Sequence, residues 1–262
     1  MGLFRKKEKP VSNINENFFN FDAPKFEPIV IPEPVLPPDP PVRPSLTYEI
    51  IEKKIASNPL ATLYRLPVQQ ERARMSSVSW ARFKTVTKGR FIVMDLETTG
   101  LNPEDDAIVQ VGIAKVDQGE IIDEYCQLVN PNTSIPEAAS RVHGFTDKDV
   151  INQPYIFEVI PNILDFMENE IIVSHNASFD LKFFFQACMR YRFRIPATKY
   201  FDSMDLSEVW PGLKNRKLET FLAAAEIVNE KPHDALSDAR SLARLMIASM
   251  QKKTAAKKDN DE

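Results

Sequence analysis

The sequence has few cysteines and no long apolar run. Cys126 and Cys188 are the two cysteines in 262 residues, and they lie far apart. They cannot form a disulfide framework, so we expect a reducing, cytoplasmic location. No apolar stretch approaches the ~18 residues of a membrane-spanning helix, and we expect no membrane partner. The opening MGLFRKKEKP has charges with no apolar core behind them, which is not typical of a secretory signal.

The sequence also has few histidines, and its charge is uneven. The three histidines and two cysteines lack the spacing of a zinc site, so we expect no structural zinc. The formal net charge of −4 combines −2 over residues 1–52, +8 over 53–90 and −10 over 91–262. An acidic body behind a basic segment is not a whole-domain polyanion binder. It can still present one basic face to a nucleic acid.

Proline is concentrated at the beginning of the chain. Ten of the 20 prolines lie in residues 1–44. Because proline lacks a backbone N–H and has a fixed φ, we predict a disordered, extended tether there. It is either a plain spacer, which its composition favours, or a docking segment for a protein partner such as a DNA polymerase subunit. The candidate anchors are Phe18, Phe19, Phe21 and Phe26.

Residues 45–90 are predicted to contain a short helix and a basic linker segment. SLTYEIIEKKIA has apolar residues at helical spacing, and Asn58-Pro59 ends that helix. The basic stretch QQERARMSSVSWARFKTVTKGR follows. Either its cations help to hold nucleic acid, or Trp80 and Phe83 pack on the body while the charges face water.

Residues 91–250 are predicted to form a mixed α/β domain, followed by a polar, disordered tail over 251–262. A buried strand, FIVMDLE, precedes a hairpin whose turn is Asp117-Gln118-Gly119. These three strands suggest an antiparallel meander, and alternating helix and strand then follow. The predicted strands are 107–116, 120–129, 171–175 and 199–202, and the predicted helices are 154–168, 178–191, 203–210, 217–226 and 234–250.

Two carboxylates close the first apolar strand of this body. Asp95 and Glu97 are two residues apart, so the strand period places them on one face. Adjacent carboxylates repel each other unless a cation joins them, and hard divalent ions suit such oxygen ligands. The pair alone is weak evidence, because Asp-x-Glu before a turn is common. Gly100 follows closely and would let a substrate approach the backbone.

Two further segments carry acids where helices begin. HNASFD (175–180) places Asp180 near a helix N-terminus, where the helix dipole favours a carboxylate. HDALSD (233–238) opens the last helix, with His233 five residues before Asp238. Taken singly, each has a simpler explanation: Ser178 caps the first helix, and the His–Asp pair of the second is solvated.

Together these segments resemble the motifs of the DEDDh, or DnaQ-like, 3′–5′ exonucleases. DLETTGL (95–101), HNASFD and HDALSD match the first, second and third family motifs in order. IPEAASRVHGFTDKDV (135–150) looks like the branch that contains the DNA polymerase III epsilon subunit and the PolC exonuclease domain. The resemblance covers about residues 90–250 and implies a ribonuclease-H-like fold, with helices flanking a mixed sheet.

The resemblance implies a two-metal phosphodiester hydrolase. Asp95, Glu97, Asp180 and Asp238 would hold two Mg²⁺ or Mn²⁺ ions, and His233 would be the general base. The products would be nucleoside 5′-monophosphates released from a 3′ end. Substrate contacts carried over from the same motifs are Thr98, Thr99, Val142, His143, Asn176 and Phe179.

The motifs leave the substrate and the biological setting open. The first hypothesis is single-stranded DNA 3′ ends, in replication proofreading or repair. The alternatives are an RNA 3′–5′ exonuclease of the RNase T or oligoribonuclease type, and a polymerase-docking or non-catalytic binding module. The presence of all five catalytic residue types argues against a non-catalytic module.

A basic stretch over 181–201 has two interpretations. Its RYRFR alternates arginine with aromatic residues, which suits backbone contacts combined with base stacking. The other interpretation, which we favour, is a set of cations near a helix C-terminus. The cations are Lys182, Arg190, Arg192, Arg194 and Lys199.

Overall fold

The computed structural model describes residues 46–65, 76–194 and 199–258, with side chains of the last helix described to Lys252. The predictions for residues 1–44, and for the last four residues of the tail, lie outside the described part. In the described part, no helix is both long enough and apolar enough to cross a membrane.

A mixed sheet forms the centre of the molecule, as the sequence predicted, and it has six strands in the described residues, of which β1 was not predicted. Its order is β1-β6-β5-β2-β3-β4. Strands β2, β3 and β4 form the antiparallel meander, whereas β5 runs parallel to β2 and β6 parallel to β5. The strands are β1 (Ser76–Ser77), β2 (Phe91–Thr98), β3 (Ile108–Asp117), β4 (Glu120–Leu128), β5 (Ile172–Ser174) and β6 (Lys199–Asp202).

Helices cover both faces of this sheet. They are α1 (Tyr48–Ala56), α2 (Ala61–Tyr64), α3 (Trp80–Thr87), α4 (Glu137–His143), α5 (Asp147–Val150), α6 (Ile156–Met167), α7 (Ala177–Arg190), α8 (Leu218–Ala224) and α9 (Ala235–Lys258). Ile92 and Met94 of β2 pack into the layer of α6 and α7, whereas Phe91 and Val93 pack into the layer of α9. Burial on both faces explains why β2 reads as a continuous apolar run.

Residues 46–65 and 76–90 pack against the same two layers. Ile55 joins the core on the α6 and α7 side. Trp80 and Phe83 are buried on the other side, where the Phe83 ring lies 5.0 Å from that of Phe201. Strand β1 also pairs with β6. Trp80 and Phe83 therefore pack on the body, as the second interpretation of the basic segment predicted.

Several elements differ from their predicted form. The last helix continues to Lys258, eight residues beyond the predicted end at 250. The segment 203–210 forms a 3₁₀ helix over Ser203–Glu208 instead of an α-helix. The short helices α4 and α5 were not predicted, because seven and four residues are too few to show a clear helical period.

Candidate active site

Asp95 and Glu97 lie on strand β2, at the edge of the meander. Asp95 pairs with Gly112 of β3, and Glu97 pairs with Gln110. A bulge follows between Glu97 and Thr98. Glu97 is buried, at 8% exposure, so its carboxylate is held where solvation is poor.

The start of α9 lies directly on this part of β3. Gln110 Oε1 accepts the Ala235 N–H at 2.8 Å. A Cβ atom on Gly112 would lie 2.2 Å from the Ala235 carbonyl carbon, so only glycine allows this approach. The contact brings Asp238, one turn further along α9, toward Asp95.

Asp180 reaches the same place from α7. It is 3% exposed, and its Oδ1 accepts the Leu96 N–H at 3.1 Å. This bond fixes Asp180 between the two acids of β2. The expected cap of α7 by Ser178 is wrong, because Asn176 is the N-cap residue. Asp202 Oδ1 and Oδ2 instead accept the N–H groups of Asn176 and Ala177, each at 3.1 Å.

Glu97, His233 and Asp238 converge at the mouth of the site. One ligand atom from each lies within 4.8 Å of the others, which is the spacing of a metal-binding group. Desolvation and the carboxylates of Asp180 and Asp238 raise the pKa of Asp95 well above its usual value. Desolvation, followed by the charge of Asp238, raises the pKa of Glu97 to about 8. The site therefore concentrates negative charge that a cation would relieve.

His233 precedes α9 instead of lying within it. Its φ of 62° is left-handed, and its side chain is exposed. The His233 N–H donates to Asp238 Oδ2 at 3.0 Å, while Asn229 Nδ2 donates a short hydrogen bond to Oδ1. Both oxygens of Asp238 are thus held in place by the segment that leads into the helix.

Four residues of the site were not identified from the sequence. They are Gln110, Gly112, Asn229 and Asp234. Asp234 adds a further negative charge near Glu97 and is itself held by Lys231 Nζ at 2.8 Å. Gln110 and Gly112 could have been noticed, because they interrupt the apolar run AIVQVGIAKV. Asn229 had no such signal.

The predicted substrate residues on the first motif line its loop. Thr98 Oγ1 donates to the Gly100 carbonyl at 2.6 Å, and Thr99 Oγ1 donates to Asp106 Oδ1 at 3.3 Å. Both threonines are buried. Their hydroxyls thus shape the turn after β2, and Asp106 completes it.

The other predicted substrate residues differ in exposure. Val142 is 54% exposed, whereas His143 is 6% exposed. His143 Nδ1 accepts the Phe145 N–H at 3.0 Å, and its Nε2 has no hydrogen-bond partner among the described residues. Phe179 packs on Phe183, with ring centroids 5.0 Å apart. Asn176 has a left-handed φ of 60° and is exposed.

The structure contradicts base stacking by one of the two aromatic residues of RYRFR, Phe193. Phe193 is 2% exposed, and Tyr191 packs on Phe157 with ring centroids 5.1 Å apart. Arg190 Nη2 donates to the Glu104 carbonyl at 2.9 Å. Phe193 therefore belongs to the core and has no free face for a base, while Tyr191 is half-buried against the core.

A sequence model of the exonuclease family, RNase_T, matches residues 92–246. The chain belongs to this exonuclease family. DNA polymerase III subunit epsilon of Aquifex aeolicus is 32% identical to this chain over 163 residues, which cover 61% of the chain and 79% of the subunit. The predicted resemblance to DnaQ-like 3′–5′ exonucleases is confirmed.

Longer proteins and solved structures match the same region. PolC-type DNA polymerase III of Thermotoga petrophila is 34% identical over 160 residues, which cover 60% of this chain. The chain spans only 12% of that polymerase. The structure of exonuclease X in complex with 5′ overhanging duplex DNA is 27% identical, with a TM-score of 0.51. The match covers 62% of this chain and 91% of exonuclease X.

Proposed function

We propose that this protein hydrolyses single-stranded DNA from its 3′ end and releases nucleoside 5′-monophosphates with the help of two divalent ions. The observation that carries the proposal is the convergence of acids from β2, α7 and α9 beside His233. Several carboxylates in one place can hold two divalent ions, and such a pair suits in-line displacement at phosphorus.

The residues fit hard divalent ions such as Mg²⁺ or Mn²⁺. None of the four acids forms an ion pair with a lysine or arginine among the described residues. Carboxylate oxygens are the ligands these ions prefer. Bound ions would stabilise charge on the attacking and leaving oxygens. We assign Asp95, Glu97, Asp180 and Asp238 as the ligands.

His233 is the proposed general base. Its ring is exposed and lies beside Glu97 and Asp238, where water can reach it. A neutral imidazole accepts a proton near neutral pH, which suits removal of a proton from the attacking water. The backbone of His233 meanwhile holds Asp238, so base and ligand move as one unit.

The relatives favour DNA over RNA as the substrate. The epsilon subunit and PolC are DNA polymerase III proteins by name, and exonuclease X was captured on DNA with an overhang. A further relative, DinG of Bacillus subtilis, is named a 3′–5′ exonuclease and is 29% identical over 169 residues. We therefore propose proofreading or repair in the cytoplasm as the setting, with a DNA polymerase subunit as a candidate partner of residues 1–44.

A gel time course tests this function. The substrates are 5′-labelled single-stranded DNA and RNA of one sequence, incubated with Mg²⁺, Mn²⁺ or EDTA. We expect a metal-dependent ladder that shortens from the 3′ end, faster on DNA. Asp95→Asn should abolish it, whereas Asp123→Asn, an exposed acid of β4, should not. Faster RNA cleavage would select the RNA alternative, and no cleavage of either by folded protein would contradict the proposal.

A further inference from the structure

Two cations, next to Glu219, line the cleft beside the acids, and the proposed chemistry does not use them. The cleft is open and has a volume of about 390 Å³. Asp95, His233 and Asp238 contribute to its lining, and so do Arg216 and Lys217. Thr98 and Thr99, the predicted substrate contacts of the first motif, do not line it, whereas Asn176 of the second motif does. This cleft therefore extends the site in a second direction.

Both cations are available to a ligand. Arg216 and Lys217 are exposed, and neither forms an ion pair within the part of the chain that the structure describes. Arg216 Nη2 has one long contact, 3.5 Å, with Ser207 Oγ. Residues 91–262 carry a net charge of −10. Two unpaired cations next to the carboxylates are therefore unusual in this part of the chain.

A histidine outside the proposed catalytic set fixes the backbone that carries these cations. His175 Nε2 lies 2.8 Å from the Arg216 carbonyl, and its Nδ1 lies 2.8 Å from the buried Ser203 hydroxyl. Because a carbonyl only accepts, Nε2 carries the hydrogen and Nδ1 accepts from Ser203. Burial lowers the pKa of His175, which favours this neutral form.

A second anchor lies one residue earlier in the loop. Asn215 Oδ1 accepts the Lys217 N–H at 3.0 Å and the Thr220 hydroxyl at 2.7 Å. The loop is therefore tied to α8 through Asn215 and to the end of β5 through His175. A cation on a fixed backbone loses less conformational freedom when it binds a phosphate.

We propose that Arg216 and Lys217 bind a backbone phosphate of the substrate strand on the 5′ side of the scissile bond, with His175 as their positioning residue. The proposal rests on the exonuclease function proposed above and adds a subsite to it. The acids take the scissile phosphate, so a longer strand must place its next phosphates elsewhere. An arginine fork and a lysine ammonium are suitable partners for a phosphate.

Two substrates separate this subsite from the reacting centre. One is a single-stranded DNA oligonucleotide, and the other is the p-nitrophenyl ester of thymidine 5′-monophosphate, which has a phosphodiester but no second phosphate. For Arg216→Ala/Lys217→Ala we expect KM for the oligonucleotide to rise about tenfold with kcat nearly unchanged. The salt dependence of oligonucleotide binding should also weaken, by a slope of about 0.7 for each lost cation. The ester reports only the reacting centre and should show no KM change.

Matched variants complete the test. Lys214→Ala removes an exposed cation of the same loop that does not line the cleft, and it should leave KM unchanged. His175→Phe should reproduce the oligonucleotide defect, because it cannot donate to the Arg216 carbonyl. His175→Gln keeps a side-chain donor and should recover part of the affinity. Arg216→Glu should raise KM further than Arg216→Ala.

The outcomes distinguish the subsite from the function itself. An unchanged KM and salt slope in the double variant, with the ester cleaved normally, would overturn the subsite alone. An equal loss on ester and oligonucleotide would also overturn it, since it would place the cations at the reacting centre. Failure of the wild-type protein to cleave either substrate would overturn the proposed function. Thermal melting of each variant confirms that it is folded.

Discussion

Gly112 lies directly opposite Asp95 in the β2–β3 pair, and the backbone of Ala235 occupies the space where a side chain at Gly112 would be. The missing side chain on β3 is therefore what lets α9 reach the sheet beside an acid of β2. Asp238 depends on this contact for its position, although Gly112 has no chemical role of its own.

We expect Gly112→Ala to lower activity by displacing the beginning of α9. An added Cβ would lie 2.2 Å from the Ala235 carbonyl carbon, so the helix must shift. The overpacking should cost about 1–3 kcal/mol of unfolding free energy. Urea unfolding and oligonucleotide kinetics measure the two effects.

Gly119→Ala is the control for the stability loss alone. Gly119 has a φ of 86° in the hairpin turn, so alanine there strains the backbone away from the site, by roughly 1–2 kcal/mol. Activity should survive in this variant. Equal activity losses in the two variants would show that Gly112 matters only for stability.

Asn229→Ala should weaken metal binding. Asn229 Nδ2 donates to Asp238 Oδ1, and Asn229 Oδ1 accepts the Ser237 hydroxyl at 2.8 Å. Removing a side chain that orients a metal ligand typically costs 10–100-fold in metal affinity or activity. Isothermal titration calorimetry measures Mn²⁺ binding, with Asn162→Ala, an exposed asparagine of α6, as the control. Unchanged Mn²⁺ affinity would argue against a ligand role for Asp238.

The metal-free protein should lose stability as pH rises from about 4.5 to 8. Glu97 has a pKa of about 8 in the fold, against 4.5 for the free side chain. Between these values the folded protein binds more protons than the unfolded chain, so its unfolding free energy falls with pH. Asp95 and Asp180, whose pKa values are also raised, act in the same direction.

Urea unfolding in EDTA at several pH values checks this, with Glu97→Gln as the comparison. At pH 8 the wild type should have a lower unfolding free energy than Glu97→Gln. At pH 4.5 the two unfolding free energies should be similar. Mg²⁺ should restore wild-type stability at pH 8, because it binds the folded protein only. A difference that does not vary with pH would contradict the raised pKa of Glu97.

His233→Asn should lower turnover by ~10²–10⁴-fold while metal affinity is kept. Asparagine tolerates the left-handed φ of 62° at this position, and the backbone N–H that holds Asp238 remains. The test pairs single-turnover kinetics with a Mn²⁺ titration. A parallel loss of Mn²⁺ affinity would show that His233 is a ligand and not the base.

Two truncations should behave differently. Deleting residues 1–44 should leave cleavage of short oligonucleotides unchanged, because the sequence predicts a tether there that is not part of the site. Deleting residues 1–90 removes Ile55, Trp80 and Phe83 from the core. Loss of a buried aromatic side chain alone costs about 3–5 kcal/mol, so the shorter protein should not fold. Circular dichroism of both truncated proteins tests this. A 91–262 fragment that is folded and active would contradict the prediction.

The sequence predicted those parts of the fold whose pattern is local. The apolar run of β2, the Gly119 turn and the helical period of α6 each depend on neighbouring residues, and each was located to within a few residues. Asp180 shows the limit of such reasoning. Its position at the start of α7 suggested a role in the helix dipole, but its carboxylate accepts a hydrogen bond from Leu96.

The remaining features depend on contacts between distant segments. The contact between Gln110 and Ala235 joins residues 125 positions apart, and no periodicity reveals it. Asn229 contacts Asp238 only because the chain turns between them. Phe193 could be interpreted as a stacking platform until its burial was known. Motifs therefore identified the acids, whereas the residues that hold them needed the three-dimensional structure.

The position of Asp238 on α9 also sets the order in which the site is completed. Asp95, Glu97 and Asp180 are all synthesised before α9, since α9 follows every other described element. The fourth acid arrives only when this last helix packs on β3. A chain that ends before α9 lacks Asp238, so we expect it to lack the proposed nuclease activity even if β2 and α7 are in place.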